Sequence, residues 1–218
     1  MRGEVEAGLR TAIEAFVTLA RLTPVLSNTL DRLYTVRASP CMMSAESALM
    51  HASRCQEQLN TWLAEVPLSL RRPGAMINNY QAALAYYGIA VSIQRAVFAC
   101  VGGTTHYDRE RELHLYREVF SLLESLLQEE LTGLWLSYCK ANLGIIGSFF
   151  IVALLSSTDD QVYSARYDIL RQYCQFLGRL DGRYAFGGLP KLRFNLLLQR
   201  LPQQRIASGR SISDREGG

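Results

Sequence analysis

The chain has 218 residues, 49% of them apolar and 20% charged, and a formal net charge of +3. Those numbers suit a folded domain with a sizeable core better than a disordered chain. A charge this small, without a concentrated basic face, argues against a phosphate-backbone binder. The five cysteines, Cys41, Cys55, Cys100, Cys139 and Cys174, are odd in number and widely spread, with no C-x-x-C. The first residues, Met-Arg-Gly-Glu-Val-Glu, are too charged for a signal peptide. Both features predict free thiols in a reducing, intracellular setting.

In chain order, Leu9, Ile13, Phe16 and Ala20 form one helical stripe, and Leu22, Leu26, Leu30 and Leu33 continue another around Pro24. A break follows at ASPCMMS (38–44). Ser44 is placed to cap a second helix to about Glu65, with Glu46 in its first turn. Pro67 and Pro73-Gly74 then mark a stop and a turn. The third helix, about 75 to 100, is apolar nearly all round at AALAYYGIAV and is expected to be central. VGGTTH (101–106) reads as a loop, after which Asp108 opens an amphipathic helix with Leu113, Tyr116, Phe120, Leu123 and Leu127 on its apolar face.

A buried segment from about Leu131 to Leu155 comes next. Within it, residues 141 to 157 carry no charge but fall short of the ~20 apolar residues a spanning helix needs, so a central helix is expected and no membrane span. A further helix begins near Asp159, with Val162, Ala165, Ile169, Tyr173, Phe176 and Leu180 inward and Gly182 as its stop. A last helix runs from Leu189-Pro190 to about Leu201. No segment alternates with period two for long. The expected architecture is therefore all-α, a single helical domain of about seven helices over residues 1–202 with a buried central helix, followed by a disordered tail at 203–218.

Several residues bear on chemistry. Asp159-Asp160 on a helix is the start of a magnesium site of the terpene-synthase kind, but the third acid is missing, Tyr163 standing there, and capping explains an Asp at a helix start. His51 and Cys55, four apart, have a metal-ligand spacing without a second pair. Three histidines, His51, His106 and His114, leave little for a catalytic triad. Gly144 and Gly147 read as sites of close helix packing, or of a ligand's close approach. Tyr80, Tyr86, Tyr87 and Phe98 read as core, or as the lining of a small cavity. Ser211 and Ser213, after Arg210, read as a solvated tail or a phosphorylation site. No nucleophile elbow, phosphate loop or dinucleotide fingerprint occurs, so no catalytic residue and no metal site are assigned.

One spacing carries more. Leu59-x-x-Trp62-x-x-x-Val66-Pro67-x-x-Leu70, followed by Tyr86 and, nine residues on, Arg95, resembles the fungus-specific transcription factor domain, the helical regulatory region that follows a zinc binuclear cluster. Upstream, LARLTPVLSNTLDRLYTVRA is similar to that family's leucine-rich helix. The resemblance covers roughly residues 15 to 201, with Ala96 where the family has a proline. It implies a nuclear, non-enzymatic regulator of transcription acting by effector sensing, autoinhibition or co-regulator contacts. It also implies transcriptional co-regulators or a DNA-binding partner, and no direct nucleic-acid contact by these residues. No cofactor is expected, zinc entering only with a six-cysteine cluster upstream. Leu59, Trp62, Pro67 and Leu70 are then structural, Trp62 as an anchor. A small-molecule effector is expected near Tyr86, Tyr87, Arg95 and Trp135, with Arg95 as the polar handle. The competing readings are a magnesium-dependent terpene-synthase-like enzyme and a helical scaffold or adaptor.

Overall fold

A computed structural model describes residues 2–34, 44–67, 80–101, 106–128, 135–157 and 159–184, together with Phe194 and Leu196. Among the described residues there are seven helices and no strand: α1 (Arg2–Ala20), α2 (Thr23–Leu33), α3 (Ala45–Glu65), α4 (Tyr80–Val101), α5 (His106–Gln128), α6 (Trp135–Leu155) and α7 (Asp160–Tyr184). The all-α single domain follows as expected.

α4 is the axis of the fold. Every residue from Ala82 to Gln94 is buried, because a helix apolar on all sides has no face it can offer to water. α1, α2, α3, α5 and α6 all pack against it, with α7 lying against α5 and α6. α4 and α6 run parallel: Gly88 meets Asn142, Arg95 meets Ser148 and Phe98 meets Phe149, each step along one helix matched along the other. By length and hydropathy Tyr80–Cys100 could cross a membrane, but 83% of that stretch is buried inside the protein. The apolar part of α6, Lys140–Leu155, is shorter.

Close approach at two points depends on glycine. The side chain of Asn142 occupies the space a Cβ on Gly88 would take. A Cβ on Gly147 would run into the Phe194 ring and come within 2.8 Å of Tyr173 Cε1. Gly144, by contrast, faces open space, so of the two glycines in this helix only Gly147 serves close packing.

Local signals set several ends. Ser44 Oγ accepts the Ser47 amide at 3.2 Å and caps α3, and Val66-Pro67 ends it. Asp159 Oδ1 accepts the amides of Gln161 and Val162 at 2.7 and 3.0 Å and caps α7. Other expectations shift. Gly182 lies inside the last turn of α7. Along α7 it is Arg166 that turns inward and Ala165 that faces water. In the last expected helix only Phe194 and Leu196 are described, both helical, Phe194 buried. Leu70, the loop at 102–105 and the tail from 203 lie outside the described residues.

The N-terminal stripe departs most from its pattern. Leu9, Ile13 and Phe16 do share one face of α1, but they are 62%, 54% and 71% exposed. The inward face carries Ala15, Thr18 and Leu19. In α2, Val25 and Thr29 are buried with Leu22 and Leu33, while Leu26 and Leu30 look outward. Thr29 tolerates this burial because its hydroxyl donates to the Val25 carbonyl at 2.8 Å.

Gly147→Ala should lower stability by about 1–3 kcal/mol through overpacking against Tyr173 and Phe194. Gly144→Ala should raise it by about 0.5–1 kcal/mol through helix propensity alone. Paired denaturant titrations of the two variants check the opposite signs.

Candidate functional site

The residues singled out by spacing gather around α4 at two levels. At the first, Trp62 of α3 is buried and its indole Nε1 donates to the Thr18 carbonyl of α1 at 3.0 Å. Its ring stacks on Tyr86 of α4 with centroids 6.0 Å apart, and Tyr86 meets Tyr87 edge to face at 5.1 Å. Leu59, one turn earlier on α3, is fully buried in the same cluster. One tryptophan thus joins three helices, and the anchor role follows from its polar handle as much as from its area. Tyr87 is buried and its hydroxyl is pushed well above its usual range, first by burial and then by the charge of Glu118.

At the second level, Arg95 reaches from α4 to two neighbours. Its Nε donates to the Tyr34 hydroxyl at 3.2 Å and its Nη1 to Ser148 Oγ at 2.9 Å. Its guanidinium lies 5.1 Å from the centre of the Tyr34 ring, in cation–π range. Tyr34, just past α2, donates in turn to the Ser92 carbonyl at 2.6 Å. Burial raises the Tyr34 pKa, and the positive Arg95 partly offsets it.

The structure brings Tyr86 and Tyr87 together and separates Arg95 from both. Nine residues of helix put Arg95 roughly 13 Å further along the axis than Tyr86, and on the opposite face. Trp135 opens α6 at the other end from Ser148, about 20 Å along that helix; its side chain lies outside the described residues. What gathers around Arg95 is instead Tyr34 and Ser148. Tyr34 entered the sequence reading only as part of the leucine-rich stretch LARLTPVLSNTLDRLYTVRA.

A third polar cluster was not legible in the sequence. Arg166 of α7 and Glu112 of α5 are both buried and form a two-pronged ion pair, Nε to Oε1 at 2.9 Å and Nη2 to Oε2 at 2.5 Å. Arg166 Nη1 donates to the Ala153 carbonyl at 2.7 Å and to Ser157 Oγ at 3.0 Å, at the C-terminal end of α6. Phe98 of α4 lies under the guanidinium, 5.5 Å from ring centre to Cζ. The Tyr116 hydroxyl donates to Glu112 Oε1, which also accepts from Arg166 Nε, and burial followed by the Glu112 charge holds its proton on well above the usual range. The guanidinium's donors are directed at protein acceptors on three sides, so this cluster ties helices together rather than waiting for a ligand. The signal available in advance was an acid among the leucines of α5 and an arginine among the tyrosines of α7, and neither names the other.

The remaining candidates resolve simply. Asp159 is the cap of α7 and Asp160 its first residue. Among the described residues no three His, Cys, Asp or Glu side chains come together as a metal site. Cys55 is fully buried, with its thiol pKa raised by burial and partly lowered by a hydrogen bond with Thr29. His51, one turn away, keeps a buried Nδ1 without a hydrogen bond. Cys174 is buried on α7 and its thiol is pushed up to about 11.

The architecture defines an all-α single domain pinned by buried tyrosine, tryptophan and arginine contacts. No family model matches the chain, and no solved structure matches it. Among curated proteins it is similar to the transcriptional activator protein DAL81 of Saccharomyces cerevisiae, 21% identical over 178 residues, covering 78% of this chain and 18% of the relative. The chain therefore spans less than a fifth of that fungal activator's length.

Glu112→Ala should destabilise the fold by about 3–5 kcal/mol, since it strands a buried guanidinium. Glu112→Leu combined with Arg166→Met should cost less than that single change. Chemical denaturation of both variants tests the order. Asp159→Ala should cost only about 1 kcal/mol, the loss of a cap, measurable as a small shift in the same titration.

Proposed function

We propose that this chain is a segment of the helical regulatory region of a fungal transcription factor and acts in the nucleus to control transcription. The observation that carries the reading is the similarity to a fungal transcription activator over most of the chain. The motif Leu59, Trp62, Pro67 supports it. Leu59 and Trp62 build the junction of α1, α3 and α4, and Pro67 follows the end of α3. DNA contact is assigned to another module or to a DNA-binding partner, because the net charge of +3 supplies no strong phosphate-binding face. The mode of control is effector sensing, intramolecular inhibition or contact with transcriptional co-regulators.

For a small-molecule effector, Arg95 remains the polar handle, with Tyr34 and Ser148 beside it. Tyr86, Tyr87 and Trp135 belong to neighbouring levels of the same two helices, where ordering by a ligand would be transmitted through α4 and α6. A guanidinium that is only half-buried favours a small carboxylate or another anion. The terpene-synthase alternative loses its motive once Asp159 is occupied as a helix cap.

A fusion of the chain to an unrelated DNA-binding module, assayed on a reporter carrying that module's site, tests the regulatory reading. Reporter output several-fold above or below the module alone is expected, and Trp62→Ala should abolish the difference. Equal output from the module with and without the chain would count against regulation. For the effector, a panel of small carboxylates should raise the melting temperature of the wild type and leave Arg95→Gln unmoved.

A further inference from the structure

The connection between α6 and α7 brings a hydroxyl, an acidic flank and a buried arginine to one place. α6 ends at Leu155 and α7 begins at Asp160, so Ser156 and Ser157 lie in a short link. Ser157 is half-buried, while Asp159 and Asp160, next but one and next but two after it, are exposed. The Ser157 Oγ donates to the Ala153 carbonyl at 3.2 Å and accepts from Arg166 Nη1 at 3.0 Å. Ser156 donates to the same carbonyl at 3.0 Å but receives no hydrogen bond from the arginine.

We propose that Ser157 is a phosphorylation site whose phosphate competes with Glu112 for Arg166. The serine oxygen takes the terminal phosphoryl group of a nucleoside triphosphate, its proton is released, and the diphosphate leaves. The flanking residues suit a kinase with a basic substrate groove. Two carboxylates follow the hydroxyl closely, and no Lys, Arg or His lies between Lys140 and Arg166. Rotation about one side-chain bond turns the hydroxyl outward, where water replaces the hydrogen bonds it gives up.

The consequence follows from charge. A phosphoserine carries about −1.5 to −2 at neutral pH, with three strong acceptor oxygens, and Glu112 carries a single negative charge at most. The phosphate approaches Arg166 from the Nη1 side, which already contacts Ser157. Asp159 Oδ1 is committed to the amides of Gln161 and Val162 and offers the phosphate only repulsion, which leaves the guanidinium as its partner. Glu112 is buried and depends on Arg166 Nε and Nη2 to keep its charge there. A carboxylate so placed loses heavily when its partner is drawn away. Phosphorylation therefore loosens the joint between α5 and α7, a switch that stands independently of the function proposed above.

The whole chain, incubated with magnesium ATP and an acidic-directed serine/threonine kinase, should take up one phosphoryl group, located on Ser157 by peptide mass spectrometry. Ser157→Ala should lose that uptake, and Asp160→Asn should slow it roughly tenfold. Amide hydrogen exchange along α5 should then run roughly tenfold faster in the phosphorylated chain, with a lower melting temperature. Glu112→Gln removes the competing charge, so phosphorylation should raise the melting temperature of that variant instead. Should Glu112→Gln fail to fold, exchange in the wild type decides. No uptake, uptake on Ser156 or another hydroxyl in place of Ser157, or uptake on Ser157 with unchanged exchange in α5 would each overturn the proposal.

Discussion

The rest of the structure follows from one constraint: α4 has to be kept out of water on every side. From Ala82 to Gln94 no residue is exposed, and at roughly 25 cal/mol per Å² of apolar surface the segment is strongly driven inward. A single helix can be sheathed only by several others, so α1, α2, α3, α5 and α6 are recruited around it. The parallel course of α4 and α6 belongs to the same constraint, because Gly88 lets the Asn142 side chain sit against the α4 backbone. Helices that pack this closely gain dispersion contacts along their whole length.

Apolar burial of this kind is weakly directional, and the polar contacts supply register. The Trp62 indole fixes α3 against α1 at one carbonyl, that of Thr18. Tyr173, fully buried, donates to the Leu143 carbonyl at 2.6 Å and fixes α7 against α6. Arg166 joins α7 to α5 through Glu112 and to the end of α6 through the Ala153 carbonyl. Each is a buried polar group that would be costly if displaced, so a slip of one helix along another loses far more than the contact area it changes. The half-buried Arg95 likewise joins α4 to Tyr34, just past α2, and to Ser148 of α6.

Much of this was legible from residue order. The helical periods, the Ser44 and Asp159 caps, the stop at Pro67 and the centrality of α4 rest on local rules that neighbours in sequence are enough to satisfy. The Trp62 anchor was legible because tryptophan combines a large apolar surface with one donor that must be paired. The Glu112–Arg166 pair was not, since 54 residues separate the partners and each alone reads as a surface charge. Arg95 was legible as a candidate, but its neighbours Tyr34 and Ser148 were not, lying 61 and 53 residues away. Gly144 and Gly147 looked equivalent, and only the seating of Tyr173 and Phe194 distinguishes them.

By itself, the sequence determined that this protein is all-helical, where most of its helices begin and end, and which helix is the core. Those properties follow from hydrophobic period, capping and proline, all acting within a few residues. The tertiary structure alone decided which face of each helix is used. On α1 the more apolar face, with Leu9, Ile13 and Phe16, points outward, while Thr18 points in. The reason is that the carbonyl–indole contact and the inward packing of Ala15, Thr18 and Leu19 outweigh a stripe that stays exposed among the described residues.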